Sequence, residues 1–288
     1  MAKEKIVAPP RKKKLTAFDV VNYIVFIIIA LLIIIPMWKV LVDSLNRYGV
    51  YQFRLWPHNP TLEGYLTIIK TKKLFRPFII SIVTTILGTF VGLLMSTLGG
   101  YVLIQFEMPG RNFFAYFLLF TMIFMGGMIP DYLVMKSLGL IGSWWVLVVR
   151  HGINVYNIVL MRNFFEGIPG SLYEAARIDG CTPMGIFFRI VLPLSKAALA
   201  SIGLMFAVTI WNDYSTCQIY IPNPDNVNFQ YKLRTMIMDG DTPTTSYNIS
   251  QTTLFNAGII AAILPFMLLY PFLQQYFVKG VNIGAVKE

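Results

Sequence analysis

Few side chains in this sequence could do covalent chemistry. Its histidines are His58 and His151 and its cysteines Cys181 and Cys217, and neither an H-E-x-x-H nor a G-x-S-x-G run occurs. An intramembrane hydrolase would need such a pairing of metal ligand or nucleophile with a base. No G-x-x-x-x-G-K-[ST] phosphate loop is present either, so this chain is expected to bind no ATP by that route and to carry no cofactor of its own. What remains is binding chemistry. Arg150 and His151 interrupt an apolar stretch, with Asn154, Tyr156 and Asn157 close behind. An ionisable group inside apolar sequence is costly in lipid, which makes Arg150 a candidate for a polar path, with a structural ion pair as the alternative. On one continuous helix Arg150, Asn154 and Asn157 would share a face. A second group, Trp211, Asn212, Asp213 and Tyr214, suits either anchoring at the headgroups or the outer mouth of a cavity. Aromatic faces bordered by amides and charged donors are surfaces that bind sugars well.

These residues must be positioned by a chain too apolar for one soluble core. Of 288 residues 56% are hydrophobic and 13% charged, and the apolar ones come in long blocks, so the bilayer is the expected solvent. Crossing about 30 Å of hydrocarbon takes about 20 apolar residues. Blocks at 20–42, 78–100, 112–130, 138–161, 197–212 and 253–278 meet or approach that length. The expected fold class is an all-α membrane protein of six transmembrane helices spanning 20–278, between a basic tail at 1–19 and a short tail at 279–288. Gly88, Gly92, Gly99 and Gly100 in the second block signal close helix packing.

The net charge of +10 does not require nucleic acid, because six of the 24 basic residues crowd into the first fourteen positions (Lys3, Lys5, Arg11, Lys12, Lys13, Lys14). Such a cluster places the N-terminus in the cytoplasm, and six crossings return the C-terminus there. Lys70, Lys72, Lys73 and Arg76 then fall on the outer side and narrow the margin. The outer segments 43–76 and 215–252, rich in Trp and Pro, are expected to be irregular. Cys181 and Cys217 fall on opposite sides, which excludes a disulfide between them.

The longest cytoplasmic loop, 162–196, is heavily punctuated. In Gly170-Ser171-Leu172-Tyr173-Glu174-Ala175-Ala176-Arg177-Ile178-Asp179-Gly180, Ser171 and Glu174 have the spacing of a capping box, and Gly180 can end the helix in the left-handed conformation. Thr182-Pro183 supplies a new cap and a first-turn proline for a second helix running to Leu192-Pro193. Ala175 and Ala176 keep the first helix thin enough for another surface to approach.

The run Glu174-Ala175-Ala176-x-x-Asp179-Gly180, followed after nine residues by Ile190-x-Leu192-Pro193, resembles the EAA loop of ABC importer permeases. Asn163-Phe164-Phe165-x-x-Ile168-Pro169 and Trp211-Asn212-Asp213 extend the likeness to the shorter membrane subunit of maltose-type carbohydrate importers. The resemblance implies that Ser171, Glu174, Ala175, Ala176, Asp179, Gly180, Ile190, Leu192 and Pro193 couple the chain to an ATPase. It also implies a bacterial cytoplasmic membrane location, a second homologous permease, two ATPase subunits using ATP and Mg, and an extracytoplasmic sugar-binding protein. The chain itself would be no enzyme but a conduit for a carbohydrate, in particular an oligosaccharide. Arg150, Asn154, Tyr156, Asn157, Trp211, Asn212 and Asp213 are the candidate path residues. The rival function, an ion-coupled secondary transporter, would need buried acids that the spans lack.

Overall fold

A computed structural model describes residues 16–49, 53–105, 108–240 and 249–285. The basic cluster at Lys3 to Lys14 and Pro243 of the second outer segment lie outside the described residues. Among those described the chain is helical, without a strand, and with an isolated bridge between Asn46 and Pro60. Three helices are long and apolar enough to cross a membrane: α1 (Ala17–Ser44), α3 (Lys72–Ile104) and the apolar part, Gln251–Phe272, of α14 (Gln251–Ala285). Thr16 and Asp19 cap α1 reciprocally. α14 continues through Ala285, so residues 279–285 of the expected tail are helical.

The other expected crossings are broken. In the third block α4 (Arg111–Ile123) and α5 (Met128–Ser137) meet at 115°. The fifth is α11 (Lys196–Trp211), which meets the preceding segment Pro183–Leu194 at 80°. That segment comprises α9 (Pro183–Ile186), a π turn at Phe187–Val191 and α10 (Leu192–Leu194). The fourth block, 138–161, is not one helix. After turns at 139–144 come α6 (Trp145–Val149), a break at 150–154 and α7 (Val155–Glu166). The structure therefore supplies three straight candidate spans, or five if each bent pair counts as one.

The outer segments expected to be irregular also hold helices. α2 (Glu63–Lys70) lies in the first, and α12 (Ser215–Tyr220) and α13 (Phe229–Met238) in the second. α3 is the central element, packed along α7 and α11. Its glycines make this possible: a Cβ at Gly92 would lie 2.6 Å from the Phe206 ring, and one at Gly100 would lie 3.0 Å from the Arg162 backbone nitrogen. Around this seam a core of Tyr101, Phe165, Phe187, Ile202, Phe206 and Ile210 fills the space between the three helices. α1 behaves oppositely, with no residue of its most apolar stretch buried.

Candidate functional site

Two clusters at opposite ends of the α3–α7–α11 body gather the candidate residues. The first surrounds α8 (Gly170–Ile178). Its N-cap is Pro169, not Ser171, and no side chain caps it, so the expected Ser171–Glu174 capping box is absent. Pro169 cannot continue a chain of amide donors but sets the entry angle, and the helix starts two residues earlier than a Ser171 cap requires. Its exit follows the sequence. Gly180 has φ +76°, its N–H donates to the Arg177 carbonyl (3.0 Å), and the Cys181 N–H donates to the Ala176 carbonyl (3.0 Å). This pair of bonds is a Schellman stop. Thr182 then accepts from the Gly185 N–H at 3.2 Å with Pro183 at the first helical position.

One face of α8 is fastened inward. Tyr173 Oη donates to the Phe165 carbonyl at 3.1 Å, and burial, with Tyr101 second, pushes its phenol up to about 12, so it remains a donor at physiological pH. Tyr101 Oη at the end of α3 donates to the Pro183 carbonyl at 2.7 Å. Ala176, expected to keep the helix thin for an approaching surface, is 5% exposed among Phe165, Ile186 and Phe187, so the surface that approaches it is the protein's own core. The opposite face is open: Glu174, Ala175 and Asp179 are exposed, and Ile178 is 85% exposed. Ile190 and Leu192 pack partly against the core while Pro193 stays exposed. A groove of about 460 Å³ runs beside α8, lined by Gln105, Phe165, Glu166, Tyr173, Glu174 and Arg177.

The second cluster is assembled from distant parts of the chain. Arg150 caps the C-terminus of α6, and its Nη1 donates to Thr216 Oγ1 at 3.3 Å while the guanidinium lies 5.8 Å from the centre of the Tyr220 ring. His151 Nδ1 is 3.0 Å from the Leu147 carbonyl, and its Nε2 is 3.4 Å from Asp213 Oδ2. Asp213 Oδ1 accepts from Ser215 Oγ and the Thr216 N–H, and Asn228 Nδ2 donates to the Asp213 carbonyl. The carboxylate of this cluster, Asp213, is thus met by His151 and not by Arg150.

The break in this region corrects the expected polar face. Arg150, Asn154 and Asn157 do not share a helix: Asn154 is the N-cap of α7 and accepts from the Asn157 N–H at 3.1 Å. Arg150, Asn154 and Tyr156 are exposed, whereas the Asn157 side chain turns inward at 3% exposure. Trp211 is turned into the protein. It is 3% exposed, and its indole N–H donates to the Ala262 carbonyl of α14 at 3.0 Å. Trp211 and Asn212 line a groove of about 690 Å³ between α11 and α14, together with Gln230, Phe266 and Tyr270. Gln230, Thr216, Tyr220, Asn228 and Arg234 were not singled out by the sequence. Of these only Asn228 carries a local signal, since it caps α13 by accepting from the Tyr231 N–H.

The pattern of a family described as binding-protein-dependent transport system inner membrane component matches residues 110–283. The polygalacturonan/rhamnogalacturonan transport system permease protein YtcP of Bacillus subtilis is 38% identical over 94% of this chain and 98% of its own length. The arabinooligosaccharides transport system permease protein AraQ of Halalkalibacterium halodurans is 30% identical over 91% and 94%. Among solved structures, a bacterial ABC transporter involved in the import of the acidic polysaccharide alginate superposes with TM-score 0.85 at 30% identity, over 92% of this chain and all of that one. The chain belongs to the family of inner membrane components of binding-protein-dependent transport systems.

Proposed function

We propose that this chain is one of two permease subunits of an ABC importer that carries an oligosaccharide inward by alternating access. The observation that carries the coupling role is α8: a short helix outside the spans, hydrogen-bonded to α7, with Ile178 85% exposed on its open face. An apolar side chain so exposed on a fastened helix suits docking into a partner's cleft. The partners are two ATPase subunits, which use ATP and Mg, a second permease, and a sugar-binding protein at the outer face. Their motion would reach the spans as a rigid-body displacement, because the glycine seam leaves no slack between α3, α7 and α11.

Six passes fit this reading with the fourth discontinuous, running through α6, the break and α7. Backbone that leaves helical geometry at membrane depth is tolerated where it is buried in protein or lines a water-filled cavity. Residues 150–154 break the helix with Arg150 and Asn154 exposed, which supports their place on the path. The relatives' named substrates, polygalacturonan or rhamnogalacturonan, arabinooligosaccharides and alginate, support a carbohydrate cargo. They do not favour an ion-coupled carrier.

With Cys181 and Cys217 replaced, a cysteine at Asp225 should react with an impermeant thiol reagent from outside, and one at Ser171 only after the membrane is opened. The reversed pattern would remove α8 from the cytoplasm and end its coupling role. Mild detergent purification should recover the chain with an ATPase and a second permease, and vanadate should stop uptake of the saccharide.

A further inference from the structure

Positive charge in this protein is handled in two ways. Lys39, Arg47 and Arg162 each meet a carboxylate, in Asp43, Glu63 and Glu166. Arg150, Arg234 and Arg76 are held by neutral groups instead. Arg150 rests on Thr216 and Tyr220, Arg234 lies 4.3 Å over the Tyr214 ring, and Arg76 donates to Asn226 Oδ1 at 3.1 Å. All three are exposed, and among the described residues none has a carboxylate within ion-pair distance.

Two of them converge. Arg150 from the α6–α7 break and Arg234 from α13 reach the same short segment, Tyr214 to Thr216. The carboxylate beside that segment is Asp213, which is turned toward His151, Ser215 Oγ and the Thr216 amide. One carboxylate against two guanidiniums leaves an excess of positive charge even before His151 is counted. Guanidinium stays protonated at any physiological pH, so titration cannot relieve the excess. Contacts to a hydroxyl and to ring faces fix the arginines in place without neutralising them, and exposed donors remain for a ligand. One helical turn before Arg234, Gln230 lines the groove that also holds Asn212, Trp211 and Tyr270. Aromatic faces and amides there suit sugar rings, and Arg234, one turn along α13 from Gln230, suits a carboxylate.

We infer that the transported saccharide is an acidic one, a uronate oligosaccharide whose carboxylates are read by Arg150 and Arg234. This rests on the translocation reading above and adds the chemical class of the cargo. Arginine and carboxylate meet in planar, charge-assisted pairs, and a neutral sugar offers no equivalent acceptor. Binding a carboxylate along the path would also offset the desolvation of a cation held at membrane depth.

The test uses the complete transporter, with its binding protein, in liposomes of zwitterionic lipid. Uptake of a galacturonic acid trisaccharide is compared with uptake of its uncharged methyl ester, for the wild type and for R150Q, R150K and R234Q. The binding protein is common to all four, so the ratio of variant to wild type for each sugar isolates the permease. R150Q and R234Q should each lower uptake of the acid about tenfold and change that of the ester by less than about twofold, as loss of a charge-assisted bond predicts. R150K should retain more acid uptake than R150Q. If R150Q fails to assemble, R234Q, at an exposed position, carries the test. Equal losses for both sugars would overturn the inference, as would a loss seen only in liposomes containing phosphatidylglycerol, which would assign the arginines to lipid headgroups. A wild type that carries only the ester would overturn it while leaving the carbohydrate reading intact, and a wild type that carries neither would overturn both.

Discussion

The two ends of the α3–α7–α11 body are built on opposite plans. Around α8 the polar bonds are few and point inward, from Tyr173 to the Phe165 carbonyl and from Tyr101 to the Pro183 carbonyl, and the outward face is left bare. Around Asp213 the polar groups engage one another: His151, Ser215 Oγ and the Thr216 amide meet its carboxylate, Asn228 donates to its main-chain carbonyl, and Arg150 joins through Thr216 Oγ1. The first arrangement holds a surface rigid for something else to grip. The second ties the α6–α7 break to the end of α11, so that a displacement of the body carries the Asp213 cluster with it. On the proposed function both ends must be firm, because slack at either would absorb a displacement passed from one to the other.

The largest effect should come from removing the grip. Glu174→Arg reverses charge on the open face, and Gly180→Pro is incompatible with a φ of +76°. Both should lower saccharide uptake about thirtyfold or more through lost ATPase association, as for a central interface residue, while the chain stays in the membrane. Wild-type uptake in both would mean that α8 does not couple. Gly92→Leu attacks the body that joins the two ends. Its side chain must displace Phe206, which should destabilise the assembled complex by about 1–3 kcal/mol, read as a lowered thermal midpoint. An unchanged midpoint would show that the seam has slack. Asp213→Asn removes the charge facing His151 but keeps one acceptor for the Thr216 amide. A loss of about 1–3 kcal/mol is expected, with slower uptake and undiminished ATPase association. Weakened ATPase association instead would dissolve the distinction between the two ends. Tyr173→Phe removes one hydrogen bond and leaves the ring packed, for a loss of about 1 kcal/mol with uptake near that of the wild type. A loss as large as that of Glu174→Arg would move the essential contact from the open face of α8 to its fastened one.

The α8 end was legible in the sequence because its signals are local. Gly180, Thr182 and Pro183 each act within a few residues of themselves, and all three do what their types predict. Ser171 misled because a capping box is also a local signal, and Pro169 set the helix start ahead of it. The Asp213 end was legible only in part. Arg150 and Asp213 were candidates, but the Thr216 partner stands 66 residues beyond Arg150, and no spacing rule reaches that far. The one-face argument for Arg150, Asn154 and Asn157 failed because periodicity assumes an unbroken helix, and Asn154 starts a new one. Close packing at Gly92 and Gly100 was read correctly, since lack of a side chain leaves few other uses for glycine inside a span.

α1 has its own consequence, for the order in which the chain takes shape. Its neighbour is α14, and the two are joined near their ends by bonds from Thr253 Oγ1 to the Asn46 carbonyl (2.6 Å) and from the Ser250 N–H to the Arg47 carbonyl (3.1 Å). During synthesis α14 emerges some two hundred residues later, so α1 must wait without its partner. A helix with polar groups aimed at an absent neighbour would wait at risk of mispairing. Ile24 to Ile35 is instead apolar on every side, and lipid satisfies it fully. Closing so long a loop is the slowest kind of contact for a chain to make, and α1 is built to be stable in lipid until it happens.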